Sequence, residues 1–331
     1  MRMVAAPLAA VLAALALAGC GDDGAEPGAP EGATLVLDFT PNAVHTGLFV
    51  AQHRGYFEDE GIELIIREPS ESTDAPKLLE AGRAEFAILD INDLGIALER
   101  GLRLWPVAGL VDRPLGSVIA HAEIDTPSEL EGRTVGVTGL PSDDAVLETV
   151  VASAGGDPGE VDRKTIGFNA VAALASGRVE AATAFWNAEG VALRRLGIET
   201  EEFRVDEYGA PRFPELILTT SADTHDELGP EFVGAVTRAT RRGYLDTLED
   251  PDAAIGDLVA EVPELDRSQV EAELQALLPA LPSNGLLTGG SLLTSVAAWA
   301  RWATARGIVA ENPFRVTKAG TADRLPAPAA P

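Results

Sequence analysis

From Thr34 onward, short apolar runs alternate with helix-length stretches, and this alternation limits the fold more than any other feature. "TLVLDF" (34–39) has the pattern of a strand. Asn42 to Arg54 follows as a helix, with Asn42 as its cap and Gly55 as its stop. "IELIIRE" is a second strand, and Asp74 to Ala81 is a helix closed by Gly82. "AEFAILD", Asn92 to Arg100 and "LRLWPVAGL" repeat the cycle. Strands separated by helices of this length predict right-handed βαβ units, a mostly parallel sheet and the α/β class.

A second set follows: "TVGVTG", a helix from Asp143 to Ala154, "RKTIGF", a helix from Ala170 to Ser176, "VEAATAF" and a helix from Ala188 to Leu196. Extended segments at 116–122 ("GSVIAHA") and 215–221 ("ELILTTS") bracket it. Beyond them the chain is mainly helical: Pro230 to Leu248, Pro251 to Val262, Arg267 to Leu278 and Ser291 to Ala305. The expected organisation is two lobes. Lobe one takes 34–115 and 222–312, and lobe two takes 116–221, with 123–214 as its body. The bracketing strands are expected to cross between the lobes as a hinge, and 313–331 to form a tail. In open parallel sheets ligands sit beyond the carboxyl ends of the strands. Asp38, Phe39, Asp90, Gly139, Phe185 and Trp186 are expected there.

The segment before Thr34 has a different character. Met1-Arg2-Met3 precedes an apolar run from Val4 to Ala18, too short to span a membrane but suited to export. It leads to Leu17-Ala18-Gly19-Cys20, and Cys20 is the only cysteine among 331 residues. This resembles a bacterial lipobox. It implies a lipoprotein signal peptide over 1–19 and lipid attachment at Cys20. The protein is then expected to be exported and held on the outer face of the cytoplasmic membrane by lipid alone. One cysteine excludes an internal disulfide. Residues 20–33, rich in Gly, Pro and acids, are expected to be a flexible tether. The net charge of −27 argues against nucleic-acid binding.

No catalytic or metal motif emerges. His45 and His53 lie eight positions apart, roughly 12 Å along a helix, too far for one ion. There is no G-x-S-x-G elbow, and "GRTVGVTG" lacks the spacing of a dinucleotide loop. No cofactor is expected. Thr138 to Ser142 joins a strand to a helix whose N–H groups would suit an anion, but Asp143 and Asp144 already occupy that end. Trp299 and Trp302 read as core packing. Trp186, with Asn187 and Glu189 after it, reads equally as a strand-end structural aromatic or as a platform for a flat, amine-bearing heterocycle. Asp38 either contacts ligand or accepts helix N–H groups near Asn42.

The stretch "LDFTPNAVHTGLFVAQHRGYFEDEGIEL" resembles the opening of the NMT1/THI5-like family, and the likeness continues through "ALASGRVEAATAFWNAEGVALRRLG". The family comprises substrate-binding proteins of ABC importers for thiamine pyrimidine precursors, together with a fungal pyrimidine synthase. The resemblance implies a two-lobed type II periplasmic-binding-protein fold. It also implies a ligand-binding set of Asp38, Phe39, Asn42, His45, Asp90, Trp186 and Glu189. The expected partners are a small pyrimidine, an ABC permease and its ATPase, and the chain is expected to be a monomer. Leu89 and Asp93 stand where the synthase consumes a lysine and a histidine. "RFPELILTT" replaces its cysteine-rich stretch, so no enzymatic activity is expected. Acids in the loop that would hold phosphate imply an unphosphorylated ligand. Riboflavin or a sulfonate such as taurine on the same fold, and a pyrimidine-processing enzyme, are the alternatives.

Overall fold

The computed structural model describes residues 31–69 and 74–314. The export segment, Cys20, most of the tether and the tail from 315 lie outside the described residues.

The first unit runs β1 (Glu31–Val36), α1 (Thr46–His53), α2 (Tyr56–Asp59), β2 (Ile62–Arg67), α3 (Asp74–Glu80), β3 (Phe86–Asp90), α4 (Ile91–Glu99) and β4 (Leu104–Gly109). The second runs β5 (Gly116–His121), β6 (Thr134–Val137), α5 (Pro141–Ser153), β7 (Asp162–Thr165), α6 (Ala170–Ala175), β8 (Ala181–Phe185), α7 (Glu189–Arg195) and β9 (Thr200–Arg204). The chain then returns through β10 (Leu216–Ser221) to α8 (Ala222–Glu249), α9 (Pro251–Glu261), α10 (Arg267–Leu277) and α11 (Gly289–Arg306). Gly229, at φ 81°, breaks α8 just before Pro230.

Two five-stranded sheets result, in the orders β2-β1-β3-β10-β4 and β7-β6-β8-β5-β9. In each, the fourth strand is antiparallel to both neighbours: β10 against β3 and β4, β5 against β8 and β9. The pairs β1–β2, β1–β3, β6–β7 and β6–β8 are parallel. The two sheets therefore share one topology, with β1 matching β6, β3 matching β8 and β10 matching β5.

Four expectations need correction. The segments 116–121 and 216–221 are not crossings. Each is a full member of one sheet, and β10 belongs with the first sheet rather than with lobe two. The chain crosses just before each of them, over 110–115 and 205–215. Second, β1 begins inside the expected tether, where Glu31, Gly32 and Ala33 pair with Ile62, Glu63 and Leu64. A Gly-rich, polar composition hides strand character that the neighbouring strand supplies by hydrogen bonding. Third, β9, "TEEFR", was not expected. It is an edge strand, and charged edge positions carry no apolar alternation. Fourth, helix begins at Ala222, eight residues before Pro230, where the Ser221 hydroxyl caps it by accepting from Thr224 N at 2.9 Å.

The C-terminal helices complete the core. Trp299 of α11 is fully buried and donates through Nε1 to Asn92 Oδ1 at 2.8 Å. Its ring lies against Gly95 of α4, where any Cβ would collide with it. α11 also reaches the second unit, since Arg306 Nη2 donates to Ser153 Oγ at 3.2 Å. The crossings are braced together by Arg113 Nη2, which donates to Asp206 Oδ2 at 2.5 Å.

Candidate functional site

The carboxyl ends of β1, β3, β6, β7 and β8 face one cavity of about 410 Å3 between the two sheets. This size falls in the range of small-molecule sites.

On the first wall, β1 runs into Asp38 and Phe39, which both line the cavity. Asn42 also lines it and caps the following turn, its Oδ1 accepting from Val44 N at 3.0 Å. Asn42 N donates to His45 Nδ1 at 3.3 Å, so the network puts the imidazole proton on Nε2. That nitrogen lies 2.9 Å from Asp38 Oδ1. His45 is fully buried and does not line the cavity; it fixes Asp38 from behind. Glu273 of α10, 7% exposed, accepts from Ala43 N at 3.3 Å and completes this helix start. Burial holds its carboxyl above the usual range. Glu273 could not be picked out from sequence, because the helix start it serves is 230 positions away.

Asp90 ends β3 and caps α4, accepting from Asn92 N at 2.6 Å. Beside it Glu215, 1% exposed, holds the first crossing: Oε2 accepts from Leu115 N at 2.7 Å and Gly116 N at 3.1 Å. Burial pushes the Glu215 carboxyl well up, helped by the adjacent Asp90 charge, and burial also raises Asp90. The two carboxyls lie against each other, and the interaction favours the protonated form of Glu215 and the ionised form of Asp90. Asp93, in the first turn of α4, is driven well up by burial and by the charges of Asp90 and Asp143.

On the opposite wall, Asp143 closes the start of α5 on itself. Its Oδ2 accepts from Thr138 Oγ1 at 2.7 Å, Gly139 N at 2.8 Å and Leu140 N at 3.0 Å. Its Oδ1 accepts from Thr183 Oγ1. Gly139, at φ 97°, gives the loop the left-handed turn this needs. The donors that would hold a ligand anion are thus engaged by a resident carboxylate.

Phe168, Phe185 and Glu189 complete the second wall. Glu189 Oε2 accepts from Phe185 N at 3.0 Å. Burial raises the Glu189 carboxyl, with smaller contributions from Glu273 and Asp38. The Phe168 and Phe39 rings meet edge to face across the cleft, centroids 4.4 Å apart.

Of the expected set, Asp38, Phe39, Asn42, Asp90 and Glu189 come together around the cavity. His45 supports it from behind. Trp186 is not at the cavity: it is 3% exposed, its Nε1 donates to Pro114 O at 3.1 Å, and the Arg204 and Arg113 guanidinium carbons lie 4.3 and 5.5 Å from the centroid of its ring. The aromatic faces come instead from Phe39, Phe168 and Phe185. Phe168 ends "RKTIGF", so its place after a strand was the available signal. His53, beyond the cleft, pairs with Glu261 at 2.8 Å. Among the described residues no three His, Cys, Asp or Glu side chains are grouped to hold a metal ion.

The family description "NMT1/THI5 like" matches residues 42–254. A formylaminopyrimidine-binding protein from Halalkalibacterium halodurans is 35% identical over 77% of this chain and 78% of its own. A 4-amino-5-hydroxymethyl-2-methylpyrimidine phosphate synthase from Legionella pneumophila is 28% identical over 70% of this chain and 74% of its own. Among solved structures, the alkanesulfonate-binding protein SsuA from Xanthomonas axonopodis pv. citri, bound to MOPS, superposes with a TM-score of 0.67 at 17% identity. That alignment covers 84% of this chain and 94% of the other, and shows the shared fold of two lobes around a cleft. The chain belongs to the NMT1/THI5-like family.

Proposed function

We propose that this protein is the extracytoplasmic substrate-binding component of an ABC importer, and that it takes an unphosphorylated aminopyrimidine of the formylaminopyrimidine or hydroxymethylpyrimidine type. The observation that carries the reading is the cleft's division of labour. Carboxylates and aromatic faces line it, while Asp143 engages the donors that an anion would need. An aminopyrimidine offers a ring to stack on Phe39, Phe168 or Phe185 and an exocyclic amine for a carboxylate to accept from. The likeness to a formylaminopyrimidine-binding protein supports the same ligand.

Binding without turnover is part of this proposal. At the positions where the resemblance puts a synthase's consumed lysine and histidine, this chain has Leu89 and Asp93. Lipid attachment at Cys20 would hold the binder beside its permease, and Cys20→Ala should release it from membranes.

Calorimetric titration with formylaminopyrimidine, hydroxymethylpyrimidine, its phosphate, riboflavin and taurine tests the ligand. Heat from the two free pyrimidines alone, with each recovered intact, is the expected result. Tight binding of taurine or riboflavin with no pyrimidine signal would overturn the ligand while leaving the fold. Conversion of the pyrimidine would overturn the binding-only role.

A further inference from the structure

Asp93 stands apart from the other acids of the cleft. It lies in the first turn of α4 and lines the cavity. Its Oδ2 accepts from Ser142 Oγ of the opposite wall at 3.3 Å. Its Oδ1 is shut off from solvent and has no hydrogen-bond partner among the described residues. Asp90 and Asp143 have their carboxylates engaged by backbone N–H groups or hydroxyls, and Glu215 binds two amides. Among the described residues that line the cavity, Asp93 Oδ1 is thus the one side-chain atom both shut off from solvent and without a partner.

The charges that act on Asp93 most strongly are Asp90, from its own helix start, and Asp143, from α5. Both are negative, and with burial they favour the protonated carboxyl. Behind Asp90 stands Glu215. Asp38 and Glu189 line other parts of the cavity, as do Lys77 and Glu80 of α3 and Arg100.

A protonated carboxyl places an O–H donor beside a C=O acceptor. The edge of an aminopyrimidine places a ring-nitrogen acceptor beside an N–H donor. The two edges match in a pair of hydrogen bonds without putting a net charge into a buried site, where an unpaired charge is costly. We propose that Asp93 is a specificity-determining residue that reads this edge as a neutral carboxyl, its O–H donating to the ring nitrogen and its C=O accepting from the exocyclic amine. The inference rests on the aminopyrimidine reading of the cleft and adds the group that recognises it.

Two substitutions separate this role from a structural one. Asn keeps a donor beside an acceptor and never ionises, whereas Ala keeps neither. In Asp93→Asn, hydroxymethylpyrimidine should bind within about threefold of wild type at neutral pH, and Asp93→Ala should lose roughly tenfold to a hundredfold. Wild-type affinity should fall as the pH rises through the elevated value of Asp93, because the ionised form has lost its donor. That fall should be absent from Asp93→Asn. Asp90, Glu189 and Glu215 remain in the variant, so the part of the profile it removes belongs to Asp93. Both variants remove a carboxyl set among the like charges of Asp90 and Asp143 and should melt no lower than wild type. If the wild type binds hydroxymethylpyrimidine but Asn weakens binding as much as Ala, the role given to Asp93 is overturned while the pyrimidine reading stands. An alkaline profile shared by wild type and Asp93→Asn overturns it equally. If the wild type binds neither free pyrimidine, the underlying reading fails and the inference goes with it.

Discussion

The starts of α1 and α5 occupy equivalent places, each following the second strand of a five-stranded sheet and each facing the cleft. They handle the same problem in opposite ways. At α1 a neutral cap, Asn42, satisfies the turn, and the nearby carboxylate of Asp38 is held out toward the cavity by His45. At α5 the carboxylate of Asp143 is itself the cap, turned back on Thr138, Gly139 and Leu140. One wall turns a carboxylate toward the cavity, and the other engages its carboxylate internally. The same supersecondary unit thus gives an open carboxylate at one wall of the cavity and a helix start closed on its own carboxylate at the other.

The equivalence extends to the residue after each third strand, where Ile91 follows β3 and Trp186 follows β8. Both are buried, while the last strand residues, Asp90 and Phe185, line the cavity. If this pairing holds, Trp186→Ala is a core truncation and not a site mutation. It should cost about 3–5 kcal/mol in chemical denaturation. Affinity measured where the variant is folded should be unchanged. A weakened affinity at wild-type stability would break the equivalence.

A pair of cap substitutions sharpens the comparison of the two helix starts. Asp143→Ala leaves two N–H groups and two hydroxyls without their acceptor and should cost roughly 3 kcal/mol. Asn42→Ala removes one neutral cap and should cost about 1 kcal/mol. Thermal melts in added sulfate carry the sharper readout. Sulfate, which stabilises folded proteins in general, should raise the melting temperature of Asp143→Ala more than that of Asn42→Ala or wild type, because it can also replace the lost carboxylate. Equal responses in all three would mean that Asp143 is not acting as a resident anion.

Asp38→Asn tests the ligand-facing wall. It keeps the shape and the His45 hydrogen bond but removes the charge. Loss of a charge-assisted bond to the ligand should lower affinity by about 1.5–3 kcal/mol, tenfold to a hundredfold, with little change in melting. Matching losses from Asp38→Asn and from Asn42→Ala would erase the distinction between presenting a carboxylate and capping a helix.

How much of this was legible in the sequence follows from range. The α/β alternation, the Asn42 cap and the Gly55 stop are written in adjacent residues, and all are present. The residues that line the cleft were legible where a strand visibly ends, as at Asp38, Phe39 and Asp90. Trp186 was misplaced by one position: successive residues leave a strand end in opposite directions, and an ambiguous end gives no sign of which one faces the cleft. Glu215 and Glu273 were hidden because their roles depend on partners about 100 and 230 positions away. The antiparallel placement of β5 and β10 was hidden for the same reason, since an extended run reads alike as a crossing or as a sheet member.

The crossing that Glu215 holds offers a smaller effect, set by pH. The folded-state value of Glu215 is raised above its unfolded value, so the native state binds the extra proton. Stability from this group is then full below the unfolded value and is lost as the pH rises through the folded one. Glu215→Gln retains an acceptor for Leu115 N and Gly116 N and a donor toward Asp90. It should exceed wild type in stability at neutral to alkaline pH by about 1 kcal/mol, with the difference shrinking toward acid pH. A constant difference across pH would show that Glu215 does not titrate in this range.

The smallest effect lies at the outer rim, where the lobes meet in solvent rather than in the cleft. Arg195 of α7 donates to Ser268 Oγ of α10 at 2.6 Å and lies 3.9 Å from Asp266 Oδ1. Both charged side chains are well exposed, so water and salt screen the pair. The Phe39–Phe168 contact joins the same two lobes from inside. Because aromatic contact survives salt, Phe168→Ala should weaken ligand affinity several-fold at any ionic strength. Arg195→Ala should weaken it by at most about twofold, and only in low salt. Scattering with saturating ligand should show the same radius of gyration for Arg195→Ala as for wild type, because the inner contact suffices to hold the lobes together. A larger radius for Arg195→Ala than for Phe168→Ala would reverse the assignment and place the closing force at the rim.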